Sequence, residues 1–163
     1  MDPNKYPYQS NLIKILESTS YLALATLDRE VGVWANTLNF AYDKELNMYF
    51  VSKTSSRHCQ NILKDSKISA AIYSTEQQHH EYVKGIQLIG EAAILGDEYV
   101  DFASNIYHGR NNIFFDPSIL NTKYQKSSIW KFFIIKPSAV WIYDTEFLGD
   151  LRAAIPQKYL KLP

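Results

Sequence analysis

Met48-Tyr-Phe-Val-Ser-Lys-Thr-Ser-Ser-Arg-His58 passes from an apolar run of strand character into a cluster of hydroxyls and then into a helical pattern. Leu46 to Ser52 reads as a strand. Lys53 to Lys64 reads as a helix entered through a polar loop, with Cys59, Ile62 and Leu63 on its buried side. The first turn of a helix leaves about four N–H groups without intrahelical partners. Around them stand the hydroxyls of Ser52, Thr54, Ser55 and Ser56, the Arg57 guanidinium, and the positive end of the helix dipole. That set is able to hold a phosphate from several directions. The same residues also suit a plain hydroxyl cap with Lys53 and Arg57 in water.

Working outward, Ser10 to Ser18 carries Leu12, Ile13, Ile15 and Leu16 at helical spacing behind Ser10 as N-cap. Tyr21 to Leu27 and Val31 to Phe40 precede the strand at Leu46 and form a meander with it. In the second run Val31, Val33, Ala35 and Thr37 point one way, and Trp34, Asn36, Leu38 and Phe40 the other. Both faces are apolar, which implies that both are covered. Lys67 to Ser74 and Val83 to Leu95 follow as strands, the latter interrupted by Gly85 and Gly90, where bends or close backbone approach are expected. Glu98 to Tyr107 reads as a helix, with Tyr99, Val100, Phe102, Ala103 and Ile106 on one face. His108 to Ser127 reads as irregular, its His108-Gly-Arg-Asn-Asn112 stretch a surface loop. Ile129 to Ile135 and Ala139 to Asp144 read as two strands joined at Lys136-Pro-Ser138, and residues from about 146 to 163 as a peripheral tail.

Six or seven strands with few, short helices and no βαβ alternation predict a mainly β, antiparallel small barrel in one domain spanning 1–163. No G-x-G-x-x-G or G-x-x-x-x-G-K-[ST] motif occurs. Lys+Arg and Asp+Glu number 17 each, so the chain lacks the basic excess of a general nucleic-acid binder. No apolar run reaches the roughly 20 residues of a membrane helix. One cysteine and no cleavable leader point to the cytoplasm. His79-His80 beside Glu81 lack the spread of ligands that zinc needs, and Cys59 reads as a buried thiol. Aromatic residues, at 14% of the chain, suit strands and broad flat contacts.

Taken in order, Trp34-Ala-Asn36, Ser52 to His58, Ile68-Ser-Ala-Ala-Ile-Tyr73 and Lys84-Gly-Ile-Gln-Leu-Ile-Gly-Glu91 resemble the pyridoxamine 5′-phosphate oxidase-like FMN-binding split barrels, in particular a small bacterial branch of them. The resemblance covers roughly residues 10 to 97. It implies a six- to seven-stranded antiparallel split barrel, a homodimer, and FMN at the subunit interface. Ser52, Thr54 and Ser56 hydroxyls and Arg57 would then hold the phosphate beside Lys53. His58 stands where relatives often carry lysine, which implies weaker or pH-dependent phosphate binding. Asn36 and Thr37 would face the isoalloxazine edge, Trp34 the ring or the dimer core, Gln87 a flavin carbonyl, and Lys84 a ring or phosphate oxygen. The implied activity is flavin-dependent oxidation or reduction of a small substrate, with no acid–base residue assigned. The C-terminal region lacks the Trp- and Arg-rich ending of authentic pyridoxamine phosphate oxidases. The competing reading is a non-catalytic protein that binds flavin or another small anion.

Overall fold

The computed structural model describes residues 6–78, 82–111 and 129–163. The chain forms α1 (Tyr8–Glu17), β1 (Tyr21–Asp28), β2 (Gly32–Asn39), β3 (Ala41–Tyr42), β4 (Met48–Lys53), α2 (Arg57–Lys64), β5 (Lys67–Tyr73), β6 (Lys84–Ile94), α3 (Val100–Asn111), β7 (Trp130–Asp144) and β8 (Arg152–Ala154). Six strands are long. All pair antiparallel in one sheet of order β2-β1-β5-β6-β7-β4-β3, with β8 added to β7. The path returns on itself through covalent continuity: Gly32 to Tyr42 supplies both edges, bending at the buried Phe40, whose N–H donates to Ser20 O at 3.0 Å. β2 and β4 approach without a ladder between them, so the barrel is split rather than closed.

Alternation dictates the interior. Leu22 and Leu24 of β1, Ile68, Ala70 and Ile72 of β5, Ile86 and Leu88 of β6, Val140 and Ile142 of β7, and Met48 and Phe50 of β4 all point inward. Phe50 stacks on Phe133 with centroids 5.0 Å apart. α1 closes one end through Leu12, Ile15 and Leu16. A second cluster under α3 joins Ala41, Tyr49, Leu95, Val100, Ala103, Tyr107 and Phe132.

Several expectations need correction. Ser10 is not the N-cap of α1; the cap is Pro7, and Ser10 Oγ donates to Pro7 O from inside the first turn. β2 has the expected alternation, but its outer face is bare, with Val33 74% exposed, and its inner face is only partly covered, with Trp34 36% exposed while Leu38 packs on the core, because β2 is an edge strand with one neighbour. In α2 the buried side is His58, Cys59, Asn61 and Ile62, whereas Leu63 is exposed. α3 runs on through Asn111, so His108 to Asn111 is helix rather than loop, and Tyr99 and Phe102 face outward. The extension has a physical anchor: Arg110 stacks on Phe40 and Tyr42 and donates to Leu16 O and Thr19 O, capping the end of α1.

β7 is one strand, not two. Its break at Pro137 is absorbed by a bulge in which Ile89 faces Ala139 and Gly90 faces Pro137, leaving Ser138 as the extra residue. Gly90 is required there, since a Cβ would sit 2.3 Å from Lys136 O. Beyond Glu146 the chain is not peripheral: β8 pairs with β7, and Ile155, Leu160 and Leu162 enter the core. No described helix is long and apolar enough to cross a membrane.

Candidate functional site

The β1–β2 hairpin, the end of β4 and the start of α2 meet at one corner of the split. α2 is fixed there by polar as well as apolar contacts: Asn61 Nδ2 donates to Thr26 Oγ1 at 3.1 Å, and Thr26 Oγ1 donates to Trp34 O at 3.4 Å. Cys59 and Ile62 supply the buried face. This seating carries Arg57 across to the end of β1, where its Nε lies 3.0 Å from Asp28 Oδ2. The guanidinium also covers the Trp34 indole, 4.7 Å from the ring centroid. Asp28 Oδ1 accepts the Glu30 and Val31 amides, at 2.9 and 3.2 Å. The Glu30 amide above all, then Val31 and Arg57, hold the Asp28 carboxyl below its usual range against the opposing pull of burial.

Behind Arg57 the hydroxyls form a directed chain. Ser56 Oγ donates to Lys53 O at 2.7 Å. Ser52 Oγ lies 3.1 Å from Ser56 Oγ, and His58 Nε2 lies 2.9 Å from Ser52 Oγ and 3.3 Å from Ser56 Oγ. Ser52 and His58 are both buried, and burial pushes the imidazole below its ordinary pKa. The same burial pushes the neighbouring Cys59 thiol up, so it stays protonated and inert.

The remaining residues expected at the site divide into groups. Lys53 lies over the Trp130 ring, and Thr54 bonds Ile129 O through both its N–H and its hydroxyl, so both lean toward the start of β7. Asn36 pairs with the buried Leu24 and so shares the inner face with Trp34; its Oδ1 is buried and has no hydrogen-bond partner among the described residues. Thr37 pairs with Ala23 and points to the opposite, outer face. Asn36 and Thr37 therefore present their side chains to different sides of the sheet. Gln87 also faces outward, onto a groove of about 640 Å³ floored by Ala23, Ala25, Ala35 and Ala71 and edged by Trp141 and Arg152.

Lys84 is elsewhere. At the far end of β6 from Ile94, its ammonium is bound by Glu146 and lies 3.8 Å from Asp144 Oδ1. Asp144 is fully buried and accepts the Tyr6 hydroxyl at 2.8 Å. Lys84 thus belongs to a polar clasp between β6, β7 and the N-terminal segment.

Sequence reading gave Asp28 no role, and it missed the inward turn of His58. The Asp28-Arg-Glu30 spacing was the available clue, because an aspartate two and three residues before free amides caps a tight turn. His79, His80 and Glu81 lie outside the described residues. Among the described residues no three His, Cys, Asp or Glu side chains converge as a metal site.

No family model matches this chain, and no curated protein matches it either. Solved structures do. A heme binding protein from Mycobacterium smegmatis aligns over 96% of the chain with a TM-score of 0.73 and 15% identity; the chain spans 61% of that protein's length. A Clostridium acetobutylicum protein related to general stress protein 26 of B. subtilis, of the pyridoxinephosphate oxidase family, aligns over 98% of this chain and 99% of its own, with a TM-score of 0.64 and 12% identity. An F420 reductase aligns over 78% of this chain and 93% of its own, with a TM-score of 0.57 and 18% identity. At these identities the likeness is one of fold: the chain has the split barrel of pyridoxamine 5′-phosphate oxidase-like proteins.

Proposed function

We propose, starting from a split barrel of this type, that the protein binds FMN, with the phosphate at the junction of β4 and α2 and a second copy of the chain covering the exposed faces of β2. The observation that carries this reading is Arg57. Asp28 engages its Nε and Trp34 one face, which fixes the guanidinium in place while no described residue bonds its terminal nitrogens. Ser56, the residue before Arg57, and Ser52, whose hydroxyl lies 3.1 Å from that of Ser56, belong to the same junction of β4 with the start of α2. The residues present fit the cofactor in a second respect: the orphaned Asn36 Oδ1 is an acceptor on the inner face of β2, and a buried acceptor without a donor is costly unless a ligand supplies one. Bound FMN would supply hydride or electron transfer. The chain's own part is to hold the phosphate through Arg57 and Ser52, orient the ring along β2, and exclude water with the partner protomer.

The substrate is a small molecule taken up beside the flavin, and the setting is a reducing cytoplasm in which Cys59 remains a thiol. A second reading, a non-catalytic flavin or small-anion binder, is favoured by one specific observation: Arg57 already has a carboxylate partner and His58 is turned inward, which weakens the grip on phosphate. Purifying the protein without added flavin, denaturing it and measuring released FMN by fluorescence tests the site. Absence of flavin together with no binding on titration overturns it. If FMN binds, its reduction by NADH or NADPH separates an oxidoreductase from a carrier. Light scattering tests the dimer, and a stable monomer that holds flavin contradicts the intersubunit arrangement.

A further inference from the structure

The hydroxyl chain at the start of α2 has a polarity that geometry fixes. Ser56 commits its only hydroxyl proton to Lys53 O at 2.7 Å, so it is able to act toward its other neighbours only as an acceptor. With the ring proton on His58 Nε2, donation runs from Nε2 to Ser52 Oγ at 2.9 Å, from Ser52 to Ser56 at 3.1 Å and from Ser56 to Lys53 O, so each contact has one proton; the opposite tautomer leaves the Ser52–Ser56 contact with none. Ser52 accepts from His58 and has its own proton left to give, either to Ser56 Oγ at 3.1 Å or outward. Nδ1 of His58 is unprotonated in this tautomer and bonds no described residue.

We propose that His58 is a positioning residue which directs the Ser52 hydroxyl proton toward a bound tetrahedral dianion, and that it takes up one solvent proton on Nδ1 when the dianion seats, so that anion affinity rises as pH falls. This inference rests on the proposed phosphate site and adds its regulation. The charged and titratable groups about the ring are few. On α2 they are the neutral Cys59 thiol and Arg57; from β1 comes Asp28, already paired with Arg57; from β4 come Phe50, which is apolar, and Lys53, which lies over Trp130; β7 places Lys131 opposite Ser52, its ammonium 4.0 Å from Asp97 Oδ1; β2 offers Trp34; and on β6 Glu91 is exposed. Burial holds the ring neutral in the free protein. A dianion beside Ser52 supplies the counter-charge that the site otherwise lacks, and raises the pKa. The sign follows by linkage: binding is coupled to proton uptake between the free and bound pKa values, at most tenfold in affinity per pH unit.

Sulfate is the cleanest probe because it keeps its charge across the range in which imidazole titrates, whereas a phosphate monoester takes a proton near pH about 6. Following the His58 imidazole by NMR from pH about 8 to about 5.5, saturating sulfate is expected to move its titration upward. FMN binding by the wild type should tighten by up to tenfold per pH unit from pH about 8 down to about 6, below which protonation of its own phosphate offsets the gain, while riboflavin, which lacks the phosphate, should not respond. His58→Gln keeps an N–H donor without a titrating ring and His58→Lys carries a fixed charge; both should bind FMN with much flatter pH profiles, and the lysine variant more tightly. A His58 titration that sulfate leaves unmoved, while FMN binds, overturns the proposal and leaves the flavin reading standing. Upward movement with sulfate but no flavin binding at any pH does the reverse. If His58→Gln retains the full pH dependence, another group is the proton acceptor and the proposal fails.

Discussion

Asp28 and Arg57 meet at 3.0 Å at one corner of the split, one from the end of β1 and the other from the first turn of α2. The contact restrains a half-exposed side chain from two sides, since Trp34 backs the guanidinium and Asp28 tethers its Nε. Removing the side chain by Arg57→Ala should weaken FMN binding by about 1.5–3 kcal/mol, the loss expected for a charge-assisted bond to phosphate. Flavin fluorescence titration reads this directly. An unchanged dissociation constant would relocate the phosphate.

The same carboxylate has a pH signature. Its pKa is lower in the folded chain than in the unfolded one, first through the Glu30 amide. Stability from this group is therefore complete above the ordinary carboxylate range and drains away as pH falls through the folded value. Urea midpoints of wild type and Asp28→Asn should converge as the solution is acidified. A gap that stays constant from neutral to strongly acidic pH would show that the turn, not the charge, is what Asp28 contributes.

At the other end of the barrel, Asp144 is a buried carboxylate held by Tyr6, the Glu146 amide and Lys84. Asp144→Ala leaves those partners facing a void and should cost about 3–5 kcal/mol, whereas Tyr6→Phe should cost about 1 kcal/mol. Burial first, then the bond to Asp144, raises the Tyr6 hydroxyl above its usual pKa. Its contribution is full below the ordinary phenol range and is lost as pH climbs through the folded value. Urea midpoints of wild type and Tyr6→Phe should therefore differ at neutral pH and converge as the solution is made strongly alkaline; equal midpoints already at neutral pH would show that the bond contributes nothing.

Two glycines give opposite expectations. Gly90→Ala would push a methyl against Lys136 O and Pro137 Cα and should cost about 1–3 kcal/mol. Gly109 lies inside α3, and a methyl added to its Cα would meet nothing within 4 Å, so Gly109→Ala should stabilise by about 0.5–1 kcal/mol. Thermal melts of the pair test whether the β6–β7 bulge is as tight as its backbone indicates.

Much of this architecture was legible from residue order alone. Alternation located β1, β2, β4 and β5 and assigned the two faces of β2 correctly, because side-chain direction in a strand follows from parity. Gly90 was readable as a close approach. What parity does not reveal is whether a face has a neighbour, and so the exposure of β2 was missed. Pro137 read as a break because proline lacks an N–H, yet a bulge removes the need for one. The tail was opaque for a different reason: Ile155, Leu160 and Leu162 fill the core at irregular spacing, so no period marks them. At the site, the serines, Arg57 and His58 were visible as a cluster, whereas the tether to Asp28 depends on a distant turn that only the folded chain brings near.

The bare margin of β2 has a practical consequence. Gly32 to Asn39 contains no charged residue and no proline, the usual guards against strand addition by a neighbouring molecule. Whatever covers that margin therefore also acts as its chaperone. Preparations concentrated without such a cover should thicken into β-rich aggregates, and Val33→Lys should keep them clear.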